Sequence, residues 1–110
     1  MESRYQYRLS KRAEQELDDI LSYIAVELSN PKAAYNWADS FEKAVDEACF
    51  FPESGMSIHN EFLSIMEVRK KIIGNYIMYY LPVPEEETIY ILRIVYGKRN
   101  IDEILRVLDL

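Results

Sequence analysis

The sequence predicts an α+β domain. An N-terminal strand comes first, then an antiparallel helical hairpin packed on an antiparallel four-stranded sheet, then a short C-terminal helix. Three observations lead there. Two apolar stripes of helical period follow one another between residues 11 and 50, separated only by Ser29-Asn30-Pro31. Three apolar strand runs lie between residues 68 and 96, joined by short turns, which favours antiparallel pairing. The resulting order, β-α-α-β-β-β-α, requires the hairpin to bury its stripe on one sheet face, giving two layers.

The elements follow in order. Residues 4–9 alternate as a short strand with Tyr5, Tyr7 and Leu9 on one face. Ser10 is placed to cap the first helix by accepting from an orphan amide of its first turn. Ala13, Leu17, Ile20, Leu21, Ile24 and Leu28 then form a stripe over residues 11–28. Asn30 caps a second helix, and Pro31 fits its first position, where no amide donor is needed. Ala34, Trp37, Ala38, Phe41, Ala44, Val45 and Ala48 carry the second stripe to about Phe50. Residues 52–65 read as a loop, with a turn of helix around 61–64. A strand over 68–73 meets Gly74-Asn75, a two-residue hairpin signal. Residues 76–83 hold almost no polar side chain, which predicts a central strand covered on both faces. Pro82, Pro84 and Glu85–Glu87 form a polar connection to a last strand, 88–96. Asn100 and the acids after it open a C-terminal helix that runs to about Leu108.

At 110 residues, 49% of them hydrophobic, the chain makes one domain with a core that needs neither metal nor disulfide. Its one cysteine, Cys49, reads as a small buried hydrophobe. No signal-like leader and no apolar run of bilayer length is present, so a reducing cytoplasm is expected. A single histidine, His59, and no Cys/His cluster argue against a zinc site, and no cofactor or other metal is called for. With three glycines there is no phosphate-cradling loop, and no nucleophile-elbow motif occurs.

The net charge is −6, which disfavours direct DNA binding by the chain alone. The bases are unevenly spread. Between Ala13 and Glu67 only Lys32 and Lys43 occur; the others gather near the N-terminal strand, on the late strands and at Arg106. This predicts an acidic helical side and a basic sheet side. Arg93 interrupts an apolar strand, where strict alternation groups it with Ile91 and Val95 and sets Leu92 and Ile94 opposite. Either an acid from a helix or loop pairs with it, or it looks into an open sheet face. Lys70, flanked by Arg69 and Lys71, and the turn Lys98-Arg99 are further candidates for phosphate or acidic-surface contact. Nine tyrosines, five of them on the two last strands, suit a half-buried sheet, with stacking on bases as the sharper alternative.

Three segments carry a family resemblance: YRLSKRAEQELDDI (7–20), RKKIIGNYIMYYL (69–81) and ILRIVYGKRN (91–100). Together they resemble the RelE/ParE superfamily of type II toxin–antitoxin toxins, and the first looks particularly ParE-like. The resemblance implies a toxin neutralised by a cognate antitoxin. It covers two activities, binding of DNA gyrase or another topoisomerase and ribosome-dependent cleavage of mRNA. For the nuclease branch it implies a basic site, which Lys70 and Arg99 partly match. The arginine expected after the hairpin tyrosine is Ile77 here, and the expected C-terminal tyrosine is Leu105. Cleavage at a ribose hydroxyl needs a proton acceptor and positive charge for the phosphorane. The resemblance therefore favours the topoisomerase-binding branch, with the ribosome and its mRNA as the alternative target. A relative that binds antitoxin without toxicity is a third reading. Lys70, Arg93, Lys98 and Arg99 are the candidate target contacts, joined by Ile101, Leu105 and Leu108 of the last helix.

Overall fold

The computed structural model describes residues 4–58 and 67–97. Strand β1, Gln6–Leu9, leads into helix α1, Lys11–Ser22, and a π-helical turn over Tyr23–Glu27. Helix α2 spans Pro31–Phe50. Strands β2 (Met56–Ser57), β3 (Arg69–Ile73), β4 (Tyr76–Val83) and β5 (Thr88–Tyr96) follow, with a 3₁₀ turn at Pro84–Glu86.

Local chemistry sets the helix starts. Ser10 Oγ accepts from the Ala13 amide at 3.0 Å, and Asn30 Oδ1 accepts from the Ala33 amide at 3.1 Å. Pro31 stands in the first turn of α2 as expected. The first helix departs from expectation near its end. The π turn inserts an extra residue and rotates the next positions off the stripe. Ile24 remains buried, but Leu28, expected on the buried face, is 54% exposed.

The sheet is five-stranded and mixed, in the order β1-β5-β4-β3-β2. The sequence expects four antiparallel strands, and the structure differs in two places. Strand β2 is only two residues long and pairs with Arg69 and Lys70 of β3, too short to show alternation. Strand β1 pairs parallel to β5, Gln6 opposite Thr88 through Leu9 opposite Ile91. The helical hairpin lies between these two strands in sequence, so no short turn fixes their relation. The β3–β4 hairpin turns at Gly74-Asn75, with Gly74 at φ +61, where a side chain would be strained.

The hairpin covers one sheet face. Ala13, Ile20, Ile24, Ala34, Trp37, Phe41, Val45, Ala48 and Cys49 pack against Ile73, Met78, Tyr80, Ile89, Ile91 and Ile94. Trp37 stacks on Phe41 and meets the edge of Tyr76, while its Nε1 donates to the Ile73 carbonyl at 3.0 Å. A second apolar cluster lies on the opposite face: Val68, Ile77, Tyr79, Leu92 and Val95, flanked by Ile58, Leu81 and Tyr90. Strand β4 contributes to both, so it is covered on both faces as its composition predicts.

Candidate functional site

The register places two of the candidate residues in one row with a tyrosine between them. Lys70 of β3 lies opposite Tyr79 of β4, which lies opposite Arg93 of β5. Tyr79 belongs to the cluster on the sheet face turned away from the helices. A β-bulge makes the row. The ladder slips between Tyr79 and Tyr80, which pairs with Ile91, so Leu92 and Arg93 together oppose Tyr79. This corrects the strict alternation expected along β5. Ile91 and Ile94 both face the hairpin, three residues apart, while Leu92 and Val95 join the opposite cluster.

The bulge also delivers Arg93 to an acid. Glu16 of α1 receives its Nε at 3.0 and 3.1 Å and its Nη2 at 2.7 Å. The Ile94 amide donates to the same carboxylate at 3.0 Å. β1 has ended at Leu9, and Ser10 takes over at the edge of β5: its amide donates to the Ile91 carbonyl and its hydroxyl to that of Leu92. Glu16 thus continues the edge bonding of β5 beyond the Ser10 contacts, to the Ile94 amide. The Arg93 side chain is 2% exposed and that of Glu16 17% exposed. A forked guanidinium matched to a carboxylate is a strong arrangement, and here it offsets the desolvation of both charges. Arg93 is therefore paired with a helix acid, one of the two readings its position in an apolar strand allows.

Two buried polar atoms in this row have no hydrogen-bond partner among the described residues, Tyr79 Oη and Arg93 Nη1. Burial pushes the Tyr79 phenol up from its ordinary pKa, with the nearby Arg93 charge opposing. A phenol kept protonated can donate a hydrogen bond but is no base at neutral pH. The next side chain of β4 on the opposite cluster's side is Ile77, 7% exposed and paired with Val95.

The remaining β3 bases face the helices. Arg69 donates to the carbonyls of Glu53 and Gly55, and Lys71 pairs with Glu47 of α2. The basic sheet side expected from composition is accordingly divided, with Lys70 on one face and its two neighbours tied down on the other. Lys98, Arg99, Ile101, Leu105 and Leu108 lie outside the described residues, as do His59 and the residues of the expected turn at 61–64 and of the expected C-terminal helix. Cys49 is fully buried, and burial pushes its thiol up, away from the thiolate a reactive cysteine needs. No cluster of three metal-ligating side chains occurs among the described residues. No described helix is long and apolar enough to cross a membrane.

Sequence reasoning did not single out Glu16, although a signal existed. Glu16 follows Ala13 by three and precedes Ile20 by four, so it lies within the buried stripe of α1. An acid at such a position asks for a buried cation.

The family described as the ParE toxin of the type II toxin–antitoxin system, parDE, matches residues 7–101. No protein of curated function matches. Among solved structures, the chain resembles one from the chromosomal ParDE toxin–antitoxin system of P. aeruginosa, at 19% identity and a TM-score of 0.66, covering 86% of this chain and 97% of that one. It also resembles a chain of a RelBE toxin–antitoxin complex from Mycobacterium tuberculosis, at 20% identity and a TM-score of 0.62, covering 87% and 94%. A mutant of the E. coli toxin RelE with two arginines replaced by alanine, solved in the free state, is similar at 14% identity and a TM-score of 0.59, covering 96% and 100%. At these identities the likeness is one of fold.

Proposed function

Because this chain belongs to the ParE toxin family of type II toxin–antitoxin systems, we propose that it arrests growth by binding a DNA topoisomerase, gyrase first, and that a cognate antitoxin holds it inactive. Ile77 carries the reading. The nuclease branch of the superfamily would place an arginine there, and this chain buries an aliphatic side chain against Val95 instead. A developing phosphorane would find no charge from that position. Arg93, in the same row as Lys70, is already committed to Glu16.

Toxicity on this reading comes from surface contact rather than bond-breaking. Lys70, Lys98 and Arg99 supply positive charge, and Ile101, Leu105 and Leu108 an apolar stripe at helical spacing. The antitoxin is supported by the solved relatives, two of which come from toxin–antitoxin systems. Both proposed partners put the site of action in the cytoplasm.

A second reading, ribosome-dependent mRNA cleavage, draws on the row Lys70–Tyr79–Arg93, which sets two bases around a phenol. One pair of assays decides. Purified toxin is incubated with programmed ribosomes and, separately, with gyrase on supercoiled plasmid. Inhibited gyrase with intact mRNA is the expected result. Codon-specific cleavage with unaffected gyrase would establish the nuclease reading in its place.

A further inference from the structure

A cleft where the end of α2 meets the chain entering β1 and leaving β4 is rich in acceptors and poor in donors. It holds about 360 Å³, which is small for a ligand pocket and suits one long side chain. Pro52, Pro82 and Pro84 line it, and proline has no backbone N–H to offer. Glu53 and Glu67 line it with exposed carboxylates. Among the described residues neither forms an ion pair, and no base lines the cleft. Three aromatic residues, Tyr5, Phe50 and Phe51, complete most of the wall, with Phe50 46% and Phe51 59% exposed.

The end of α2 adds to the same polarity. The helix closes at Phe50 with no base in its last turn, and Pro52 cannot bring it a further amide. The negative pole of a helix favours a cation within that turn. The Tyr5 amide donates to the Cys49 carbonyl at 2.9 Å, which pins the chain entering β1 against this pole. One cation already uses these rings. Arg4 holds its guanidinium carbon 5.8 Å from the centre of the Phe50 ring. Its charge is matched by Asp46, so it does not answer Glu53 or Glu67. A bound anion would meet two carboxylates and few donors. A guanidinium carries five N–H donors and no acceptor, and its flat faces stack on aromatic rings.

We propose that this cleft receives an arginine side chain of the topoisomerase. The guanidinium stacks on the Phe51 ring and donates to the carboxylates of Glu53 and Glu67. Of the two proposed partners, the topoisomerase is the one whose work on DNA requires arginine at its surface, because phosphates are held largely by Arg and Lys. The inference rests on the proposed topoisomerase target. It adds a contact of opposite sign to Lys70, Lys98 and Arg99, and so a second point that fixes orientation.

The first arm of the test titrates the full chain with Nα-acetyl-argininamide and follows it by NMR. Saturable shifts are expected at the Glu53 and Ser54 amides and the Phe51 ring. The citrulline analogue has the same shape without the charge and should bind about tenfold more weakly or worse, with the lysine analogue also weaker. Glu53→Gln/Glu67→Gln and Phe51→Leu, both at exposed positions, should each weaken the arginine probe about fivefold or more. Glu27→Gln removes one charge from the turn after α1 and should change nothing. The second arm measures gyrase supercoiling, where the same two variants should need about tenfold more toxin for half-inhibition. Absence of a saturable shift, or equal binding of the citrulline analogue, overturns the cation site. Equal or tighter binding of the lysine analogue overturns the choice of guanidinium. Variants that lose the probe yet inhibit gyrase as well as the wild-type chain overturn the topoisomerase as the source of the arginine. Failure of the wild-type chain to inhibit gyrase removes the proposed target and this source with it, and the probe arm tells that failure from a failure of the cleft.

Discussion

The carboxylate of Glu16 receives the forked guanidinium of Arg93, with Nη2 to Oε2 at 2.7 Å, and also the amide of Ile94 at 3.0 Å. One side chain of α1 thereby neutralises a buried charge and satisfies a strand-edge donor. Removing it should be severe. Glu16→Ala is expected to cost about 3–5 kcal/mol in denaturant unfolding, because the guanidinium would stay buried without its partner. The double variant Glu16→Leu/Arg93→Leu should lose far less than the sum of the two single changes. Additive losses would mean that the two residues act separately.

Trp37 joins both layers: its ring packs on Phe41 and Tyr76, and its Nε1 fixes the Ile73 carbonyl at the end of β3. Trp37→Ala and Phe41→Ala should each cost roughly 3–5 kcal/mol, a large share of the stability of a domain this size. A change under about 1 kcal/mol for either would remove it from the core.

Gly55 is required for space rather than for φ. A Cβ there would stand 2.5 Å from Tyr80 Oη and 2.9 Å from the Lys70 carbonyl. Gly55→Ala should therefore displace the Tyr80 ring, which bonds the Gly55 amide at 2.8 Å and the Pro52 carbonyl at 2.9 Å. The expected loss is about 1–3 kcal/mol. Tyr80→Phe should destabilise by a similar amount through the unpaired Gly55 amide.

Stability should fall at alkaline pH. Burial pushes the phenols of Tyr79 and Tyr80 up, and burial does the same to the Cys49 thiol. A raised folded-state pKa means the folded chain keeps a proton that the unfolded chain releases. The stabilisation is complete below the ordinary pKa and is lost as pH rises through the folded one. Loss begins near pH 8.5 through Cys49 and steepens above about pH 10 through the tyrosines. Tyr79→Phe should flatten the decline above about pH 10; an unchanged slope in urea titrations across that range would exclude it as a contributor.

The sequence by itself determined the parts whose causes are local. The caps at Ser10 and Asn30, the turn at Gly74-Asn75 and the span of β5 rest on side-chain-to-backbone bonds a few residues apart or on periodicity within one element. The stripes placed Ile20, Trp37 and Phe41 in the core because helical spacing alone puts them on one face. Only the tertiary structure decided the rest. β1 lies parallel beside β5 across an intervening helical hairpin, and no turn encodes that neighbour. The bulge at Leu92 resets the faces of β5 because a residue is accommodated against β4, a fit invisible along β5 alone. Arg93 meets Glu16 across 77 positions of sequence. Each residue signalled a buried charge, but only the packing of α1 against the edge of β5 joined them, because a guanidinium and a carboxylate stay together out of water only where the fold aligns both.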